Sequence, residues 1–349
     1  MTLHNQYRRF LVIGCGSIGK RHIGNLLSLN AGEVTAFDIR PERRVETADK
    51  FGISVLDRLD DALLRGPDAV IVAVPTSLHI PLAMKAAEHG CHLFIEKPLS
   101  NSLEGMDIFL GRVSEKKIAT LVGCNLRFHP GLKMIKGLLE KEQIGKPVAA
   151  RVEFGQYLPD WRPHEDYRGS YSARLDLGGG IILDAIHEID YIRWMLGHVS
   201  RVACLAGRLS SLETQTEDTA AVLLQFDCGA IGEVHLDYVQ RAYSRSCHII
   251  GDRGTIRWDY SSGEVRWYCA DSRRWNLFQN PPGWNPNQMY LDEMRHFLKC
   301  LDGEENPALD AFEGARVLEI AVAAKKSSET GKFMKTGDSP WDERKRRLL

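Results

Sequence analysis

Three glycines near the N-terminus have the spacing of a dinucleotide-binding loop. Gly14, Gly16 and Gly19 fit G-x-G-x-x-G, between an apolar run that predicts a strand and a segment that predicts a helix. The first glycine permits a tight turn, the second lets the backbone approach a pyrophosphate, and the third lets helix and strand pack closely. The start of the helix, with Ser17 and Ile18, then faces the phosphates. We therefore predict that this loop binds a dinucleotide.

Asp38 lies at the end of the second predicted strand, nineteen positions after Gly19. A carboxylate there accepts hydrogen bonds from the ribose hydroxyls and repels a 2′-phosphate, which favours NAD over NADP. Two alternatives stay open. Asp38 could instead be the N-cap of a helix that begins near Pro41. Arg40, with the two arginines that follow it in the same segment, could receive a 2′-phosphate.

Lys97 follows the fifth predicted strand, in the sequence Glu96-Lys97-Pro98. In an open parallel sheet the carboxyl ends of the strands form the ligand crevice, so Lys97 is expected at its mouth. A lysine there can donate a hydrogen bond to a substrate oxygen. The alternative is a solvated lysine that pairs with Glu96.

A glycine-rich segment precedes a second candidate group. Gly178-Gly179-Gly180 leads into a predicted helix at 181–196, on which Asp184 and His187 would be i, i+3 neighbours on one face. An imidazole can accept the proton of a reacting alcohol near neutral pH, and a neighbouring carboxylate would orient it. The alternative is a polar helix face with structural hydrogen bonds.

The segment 157–168 combines arginines with aromatic residues. Arg162 and Arg168 could clamp a carboxylate or phosphate, while Trp161 and Tyr167 offer flat surfaces to a sugar ring. The alternative is a proline-containing loop anchored by its aromatic residues, at an oligomer contact. Arg127 is a further candidate for a substrate contact, with a structural ion pair as its alternative.

The elements that must position these residues follow two patterns. Up to residue 123, short continuous apolar runs alternate with helical patterns, which predicts a doubly wound parallel sheet of the Rossmann type. From residue 124, longer alternating strands are connected by glycine-containing turns, which predicts an α+β domain with a large, mostly antiparallel sheet. We therefore divide the α/β chain into domains at 1–123 and 124–349.

The composition excludes several classes of partner. Among 349 residues, 45 basic and 46 acidic side chains give a formal net charge of −1, so nucleic acid is not an expected partner. The basic cluster at 344–347 is interpreted as a solvated tail. The eight cysteines form no C-x-x-C pair, which favours a reduced, cytoplasmic protein without a metal site. No apolar stretch is long enough to predict a membrane span.

Taken together, these residues resemble the Gfo/Idh/MocA family of sugar and cyclitol oxidoreductases. The resemblance depends on motifs in the right order along nearly the whole chain: the Gly14–Gly19 loop, Val74-Pro75-Thr76 with His79, Glu96-Lys97-Pro98, Gly123 with Arg127-Phe128, and the triple glycine with Asp184 and His187. The segment at 157–168 also resembles a subgroup linked to surface-polysaccharide sugar metabolism. The family commonly spaces its aspartate and histidine by four residues, whereas Asp184 and His187 are three apart.

The resemblance implies a function and assigns roles. Lys97, Asp184 and His187 would form the catalytic trio, and His187 would take the hydroxyl proton while a hydride passes to the nicotinamide. Pro75, Thr76, His79, Glu96 and Lys97 would contact the cofactor. The substrate would be a sugar, nucleotide-sugar or cyclitol, and the protein a homodimer or homotetramer. Two alternatives remain: a glycosidase that uses NAD transiently, and a non-enzymatic NAD or sugar sensor.

Overall fold

The computed structural model describes residues 8–337, so the basic cluster at 344–347 lies outside the described residues. Its strands are β1 (Arg8–Ile13), β2 (Gly32–Phe37), β3 (Val55–Leu56), β4 (Ala69–Val72), β5 (His92–Glu96), β6 (Thr120–Gly123), β7 (Pro147–Gly155), β8 (Val199–Gly207), β9 (Thr219–Phe226), β10 (Ile231–Asp237), β11 (Ser244–Gly251), β12 (Gly254–Asp259), β13 (Glu264–Cys269), β14 (Arg274–Gln279) and β15 (Met334–Lys335). Its helices are α1 (Ser17–Ser28), α2 (Pro41–Phe51), α3 (Leu59–Leu64), α4 (His79–Glu88), α5 (Met106–Glu115), α6 (Pro130–Glu140), α7 (Ile181–Asp184), α8 (Ile186–Leu196), α9 (Asn287–Leu301) and α10 (Ala311–Thr330).

The described chain forms two compact units. Unit 1 contains residues 8–100, Glu104–Asn125 and Pro286–Gly314, and unit 2 contains Asn101–Leu103, Leu126–Asn285 and residues 315–337. The sequence division at 123/124 placed 286–314 in the second domain, and this assignment needs correction. The segment returns to unit 1 because α9 contributes apolar side chains to the core of that unit.

Unit 1 is built on a parallel sheet with strand order β3-β2-β1-β4-β5-β6. Its central strands contain consecutive buried apolar residues, such as 10–13 in β1 and 69–72 in β4, because both faces of the sheet are covered, as predicted for a doubly wound fold. Phe10 and Val12 point to the face covered by α1 and α9, where they share a core with Ile23, Met294 and Phe297. The carboxyl ends of β1, β2 and β5 carry the candidate cofactor residues.

Unit 2 is built on a sheet with strand order β14-β13-β12-β11-β7-β10-β9-β8-β15. Neighbouring strands are antiparallel except for β7 and β10, which run parallel. Strands β9 and β10 alternate between buried and exposed residues, because helices cover one face of the sheet and leave the other open. The predicted combination of a parallel Rossmann sheet with a large, mostly antiparallel sheet is confirmed.

Two details differ from the sequence prediction. The helix predicted at 181–196 is interrupted at Ala185, whose ψ of 29° lies outside the helical range, so α7 ends at Asp184 and α8 begins at Ile186. Strand β14 was not predicted, because it pairs with β13 at the edge of the sheet and has few buried side chains to create an apolar pattern. The interruption at Ala185 matters for the site, because it lies between Asp184 and His187, the two candidate residues of this segment.

Candidate active site

The three glycines of the first loop have different structural environments. A side chain at Gly14 would collide with the carbonyl oxygen of Ala73, and one at Gly19 would collide with the carbonyl oxygen of Gly14. At Gly16, by contrast, an added Cβ would have Arg43 Nη1 at 3.7 Å as its nearest neighbour. Packing within the protein therefore explains the first and third glycines but not the second. Gly16 is also the N-cap of α1, where backbone N–H groups are available to phosphate oxygens. The loop thus fits a bound pyrophosphate.

The carboxylate of Asp38 is bonded to the glycine loop. Its Oδ2 accepts a hydrogen bond from the backbone N–H of Cys15 at 2.7 Å, and its Oδ1 accepts one from the backbone N–H of Arg40 at 2.8 Å. The N-cap of α2 is Arg40, so the alternative that made Asp38 the N-cap is wrong. Each carboxylate oxygen has a second lone pair that can accept from a ribose hydroxyl.

The arginines near Asp38 have different environments. Arg44 donates to the backbone oxygens of Asp38 and Ile39, at 3.0 and 3.1 Å, and is thereby engaged with its own turn. Arg43 Nη1 lies 3.9 Å from the Asp38 carboxylate. Arg40 is exposed at the start of α2. Charges of both signs therefore surround the expected ribose position, with the buried carboxylate in contact with the loop itself.

His79 connects two backbone turns at the carboxyl edge of the parallel sheet. Its Nδ1 lies 2.7 Å from the carbonyl oxygen of Pro98, and its Nε2 lies 2.9 Å from the carbonyl oxygen of Val74. Burial lowers the pKa of His79, whereas the two carbonyl oxygens act in the opposite direction. Both ring nitrogens face backbone carbonyl oxygens, and the cofactor contact of His79 stays a prediction. Pro75 and the buried Thr76 lie in the turn that His79 holds.

Glu96 also has a partner within the protein. Its Oε1 lies 2.6 Å from Nε2 of His22, a fully buried residue of α1 that sequence reasoning missed. Its Oε2 accepts a hydrogen bond from the backbone N–H of Lys97 at 3.2 Å. The signal for His22 was available, because it follows Gly19 by three residues and lies on the buried face of α1. Lys97 itself is half-buried at the end of β5, and its peptide bond to Pro98 is cis.

In unit 2, the triple glycine forms a close contact with two other segments. A side chain at Gly179 would collide with the backbone of Tyr171 and Ser172, and one at Gly180 would collide with the carboxylate of Glu217. Glu217 in turn caps α7, since its backbone oxygen accepts from Ile181 N at 3.1 Å. Burial raises the pKa of Glu217, and the nearby Lys325 ammonium opposes this shift. The glycines thus fix the start of the short helix that carries Asp184.

Asp184 and His187 are both buried, on either side of the interruption at Ala185. Tyr238, directly after β10, donates its hydroxyl to Oδ2 of Asp184 at 2.6 Å. Burial, together with the neighbouring Asp184 carboxylate, raises the pKa of Tyr238 well above its usual value, so its hydroxyl stays a donor. Sequence reasoning missed Tyr238, because this contact joins residues 54 positions apart.

Arg127 is committed to a buried ion pair. Its Nε lies 2.9 Å from Oδ2 of Asp190 and its Nη2 lies 2.6 Å from Oδ1, a bidentate arrangement. The guanidinium also lies 5.6 Å from the ring of Trp194. The structural ion pair that was the alternative for Arg127 is therefore present, and the geometry does not favour the predicted substrate contact.

The segment at 157–168 brings three of its predicted residues to one surface depression, which Trp161, Arg162 and Tyr167 line together. The ring of Trp161 packs edge-on against Tyr238, with 5.4 Å between centroids, and its Nε1 donates to the backbone oxygen of Gln156. Arg162 lies 5.7 Å from the ring of Tyr171. The aromatic residues therefore anchor this segment, as in the alternative interpretation, and connect it to the partner of Asp184.

Arg168 is exposed and already paired. Its Nε lies 2.9 Å from Oδ1 of Asp166, and its Nη1 lies 3.4 Å from Oε1 of Glu213. The hydroxyl of Tyr167 accepts a hydrogen bond from the backbone N–H of Glu213 at 3.1 Å. An anionic substrate group would have to compete with two carboxylates for Arg168. These contacts favour a role in holding the segment against 213–216.

Comparison with known proteins identifies the family. Residues 8–123 match the family model described as the oxidoreductase family with an NAD-binding Rossmann fold, and residues 132–257 match the GFO/IDH/MocA C-terminal domain. The chain is 30% identical to the myo-inositol 2-dehydrogenase of Thermotoga maritima, over 94% of this chain and 98% of that protein. The chain belongs to the Gfo/Idh/MocA family. It is therefore an oxidoreductase with an NAD-binding Rossmann domain.

Other known proteins are similar to this chain over most of their length. The scyllo-inositol 2-dehydrogenase (NAD(+)) of Bacillus subtilis is 28% identical, over 93% of this chain and 94% of that protein. The structure of levoglucosan dehydrogenase with NADH and levoglucosan has a TM-score of 0.87 at 22% identity, covering 96% of this chain and all of that chain (100%). The WlbA dehydrogenase of Bordetella pertussis, in complex with NADH and UDP-GlcNAcA, has a TM-score of 0.83 at 22% identity, with coverages of 97% and 100%.

Residues 8–337 lack both a membrane-spanning helix and a metal-binding group of side chains. No helix in that range has the length and apolar character needed to cross a membrane. Within the same range, no three or more His, Cys, Asp or Glu side chains are grouped closely enough to hold a metal ion.

Proposed function

We propose that this Gfo/Idh/MocA oxidoreductase transfers a hydride between NAD and a hydroxyl-bearing carbon of a sugar, nucleotide-sugar or cyclitol. The observation that carries the cofactor part is the open position at Gly16, with the buried Asp38 carboxylate bonded to the same loop. The substrate class is supported by relatives that are named as dehydrogenases of myo-inositol and scyllo-inositol. NAD is proposed over NADP, because a 2′-phosphate would lie beside the Asp38 carboxylate.

The proposed roles of the active-site residues follow from their chemistry. His187 accepts the proton of the reacting hydroxyl, since an imidazole is the side chain best suited to that transfer near neutral pH. Asp184, held by the Tyr238 hydroxyl, stabilises the cationic imidazole. Lys97 donates a hydrogen bond to a substrate oxygen. When bound, the nicotinamide supplies the acceptor for the hydride.

The experiment that tests this function is a substrate panel with NAD and with NADP. Inositols, neutral sugars, sugar acids and nucleotide-sugars are each mixed with the enzyme, and NADH formation is followed by absorbance. Net NADH formation with one class supports the proposal and names the substrate. Turnover without net NADH change would favour the transient redox chemistry of a glycosidase, and tight NAD binding without turnover would favour a sensor.

A variant at His187 tests its role as the proton acceptor. His187→Ala is expected to lower kcat about a hundredfold, with NAD binding preserved, because it removes the general base. Loss of NAD binding in this variant would mean instead that His187 has a structural role.

The open face of the large sheet supports a homodimer or homotetramer. Leu205, Leu223 and Ile231 lie exposed on this face, at relative exposures of 78%, 48% and 55%. They neighbour the ion pair between Arg151 and Glu233. A sheet face of this size with apolar side chains is suited to a second copy of the chain. Leu223→Asp is expected to lower the mass measured by light scattering to that of one chain.

A matched substitution on the other unit is the control for this test. Leu64→Asp changes a leucine of α3 that is 76% exposed, and it should leave the mass unchanged. A single-chain mass for the unmodified protein would contradict the proposed oligomer.

The cytoplasmic location is also proposed. It is supported by the eight cysteines, which are all free thiols.

A further inference from the structure

In unit 1, two buried histidines contact the residues on either side of Lys97. His22 of α1 bonds to the Glu96 carboxylate, directly before the lysine, at 2.6 Å. His79, at the start of α4, bonds to the carbonyl oxygen of Pro98, directly after it, at 2.7 Å. The lysine thus lies between two positions that are each fixed by an imidazole.

The Glu96 carboxylate is buried and has close neighbours from three segments of unit 1. Besides His22, it accepts a hydrogen bond from the backbone N–H of Lys97 at 3.2 Å. A Cβ added at Gly123 would lie 3.2 Å from the carboxylate, so the absence of a side chain there relieves a tight contact with the end of β6. Glu96 is 8% exposed. Burial of a carboxylate costs free energy unless the carboxylate is hydrogen-bonded, and here it is bonded to the backbone N–H of Lys97.

His22 is itself held in place. Its ring is fully buried and packs edge-on against Phe94 at 4.8 Å between centroids. Phe94 packs in turn against Phe297 of α9 at 5.6 Å. The imidazole therefore has one orientation, in which Nε2 faces Glu96.

The position of His22 on α1 gives the pair a second consequence. The same helix begins at Ser17, after the Gly16 position that remains open for a pyrophosphate. His22 connects this helix to Glu96, and Glu96 is bonded in turn to the backbone N–H of Lys97. The pair therefore joins the phosphate-binding end of the helix to the proposed active-site lysine.

We propose that His22 and Glu96 are positioning residues that hold Lys97 and link its placement to the dinucleotide-binding helix. The proposal rests on the proposed function in one respect, that Lys97 acts on the substrate. Donors at an active site must be held within a fraction of an ångström to be effective, so loosening this pair is expected to affect turnover more than binding.

Two substitutions of His22 test the proposal. His22→Gln keeps an N–H donor close to the position of Nε2, whereas His22→Leu keeps the volume and removes the donor. We expect His22→Leu to lower kcat at least about tenfold, with the dissociation constant of NADH changed less than about twofold, because only the lysine is displaced. His22→Gln should retain most of the activity. The matched control is His89→Leu, at an exposed histidine of the same unit.

A second measurement does not depend on turnover. The rate at which Lys97 is acetylated by a chemical reagent is measured against pH by mass spectrometry of its peptide. We expect the profile of Lys97 to shift in His22→Leu and to stay near that of the unmodified protein in His22→Gln and His89→Leu. This measurement separates the two proposals, because it remains informative even if no sugar or cyclitol is oxidised.

The outcomes that overturn the proposal are distinct. An unchanged kcat and an unchanged Lys97 profile in His22→Leu would show that the pair has no positioning role. Equal losses in His22→Gln and His22→Leu, together with an equally lowered melting temperature, would assign His22 to packing alone. If His22→Leu does not fold, Glu96→Gln replaces it. Its amide has one accepting oxygen for two donors, so the Lys97 profile should still shift, and an unchanged profile would overturn the proposal.

Discussion

The fold itself does not require glycine at position 16, whereas a bound pyrophosphate would. Its φ and ψ, −73° and −172°, are accessible to any residue, and an added Cβ would meet nothing closer than 3.7 Å. Neither backbone strain nor packing thus requires glycine there. The remaining explanation is close approach of a pyrophosphate to the loop.

Gly16→Ala is therefore expected to weaken NADH binding about tenfold or more while leaving the melting temperature unchanged, because the methyl group occupies space needed only by the ligand. Fluorescence titration with NADH gives the dissociation constant. Gly24→Ala is the matched control, since it lies on the same helix and its Cβ would have only an ordinary contact with Phe51 at 3.5 Å. Equal NADH affinity in both variants would contradict the assignment.

A second prediction at the residue scale concerns Asp38, which we propose favours NAD over NADP. Its carboxylate is 5% exposed and is bonded to Cys15 N, so it cannot turn away from a 2′-phosphate without breaking that bond. Asp38→Asn keeps an oxygen for Cys15 and removes the charge. We expect it to narrow the ratio of NADP to NAD dissociation constants by about tenfold. Asp49→Asn, on the neighbouring helix α2, is the control. Tighter binding of NADP than of NAD by the unmodified protein would overturn the preference.

At the scale of elements, the interruption between α7 and α8 determines what Asp184 contacts. The residue ends α7 and accepts a 2.6 Å hydrogen bond from Tyr238, which follows β10. Helix and sheet are thus joined at the proposed active site of unit 2. The bond also connects to the 157–168 segment, because Trp161 packs on the Tyr238 ring.

Tyr238→Phe is expected to lower kcat about tenfold with little change in the dissociation constant of NADH, because it removes one hydrogen bond from Asp184 and preserves the ring. Steady-state kinetics with the identified substrate measures the effect. Tyr191→Phe is the matched control, since Tyr191 is also buried but its hydroxyl donates a long hydrogen bond to Ser246 O at 3.5 Å. An equal loss in both variants would assign the effect to general packing.

Local patterns in the sequence predicted the elements well where burial follows a simple period. The continuous apolar runs in unit 1 and the alternating residues of β9 and β10 are examples, because burial on both faces or on one face produces a regular pattern of apolar residues. The ion-pair alternative for Arg127 and the buried position of His22 could be read locally. Their partners Asp190 and Glu96 could not, since they lie 63 and 74 positions away. Strand β14 was missed because its pairing is made by the backbone and not by buried side chains.

At the scale of the whole chain, the return of α9 to unit 1 was also beyond local patterns. The helix has an ordinary amphipathic pattern that would fit either unit. Its place is decided by Phe297, which packs edge-on against Phe94 of β5. Tertiary packing, which depends on shape as well as on polarity, therefore set the division of the chain.

The stability of the molecule should depend on pH through the buried residue His129. His129 accepts a hydrogen bond from Gly131 N on its Nδ1 and lies among the rings of Trp258, Tyr260 and Trp284. Burial, with the nearby Arg245 cation, lowers the pKa of His129 to about 3. The folded protein therefore keeps this ring neutral at a pH where the unfolded chain, with an ordinary pKa of about 6.5, binds a proton.

The sign of the resulting pH dependence follows directly. Above pH about 6.5 the ring is neutral in both states, and between about 6.5 and about 3 only the unfolded state is protonated, so stability falls as the pH falls. The loss approaches about 1.4 kcal/mol per pH unit. His129→Asn keeps the acceptor for Gly131 and does not titrate. The free energy of unfolding of this variant, measured relative to that of the unmodified protein, should therefore increase by about 2 kcal/mol when the pH is lowered from about 7 to about 5.

Urea unfolding of both proteins across this pH range measures the difference. Other titrating groups cancel in the comparison, because they are common to the two chains. His164→Asn, at an exposed histidine of the same unit, is the control. A pH-independent difference between His129→Asn and the unmodified protein would mean that the aromatic cluster admits a charged ring.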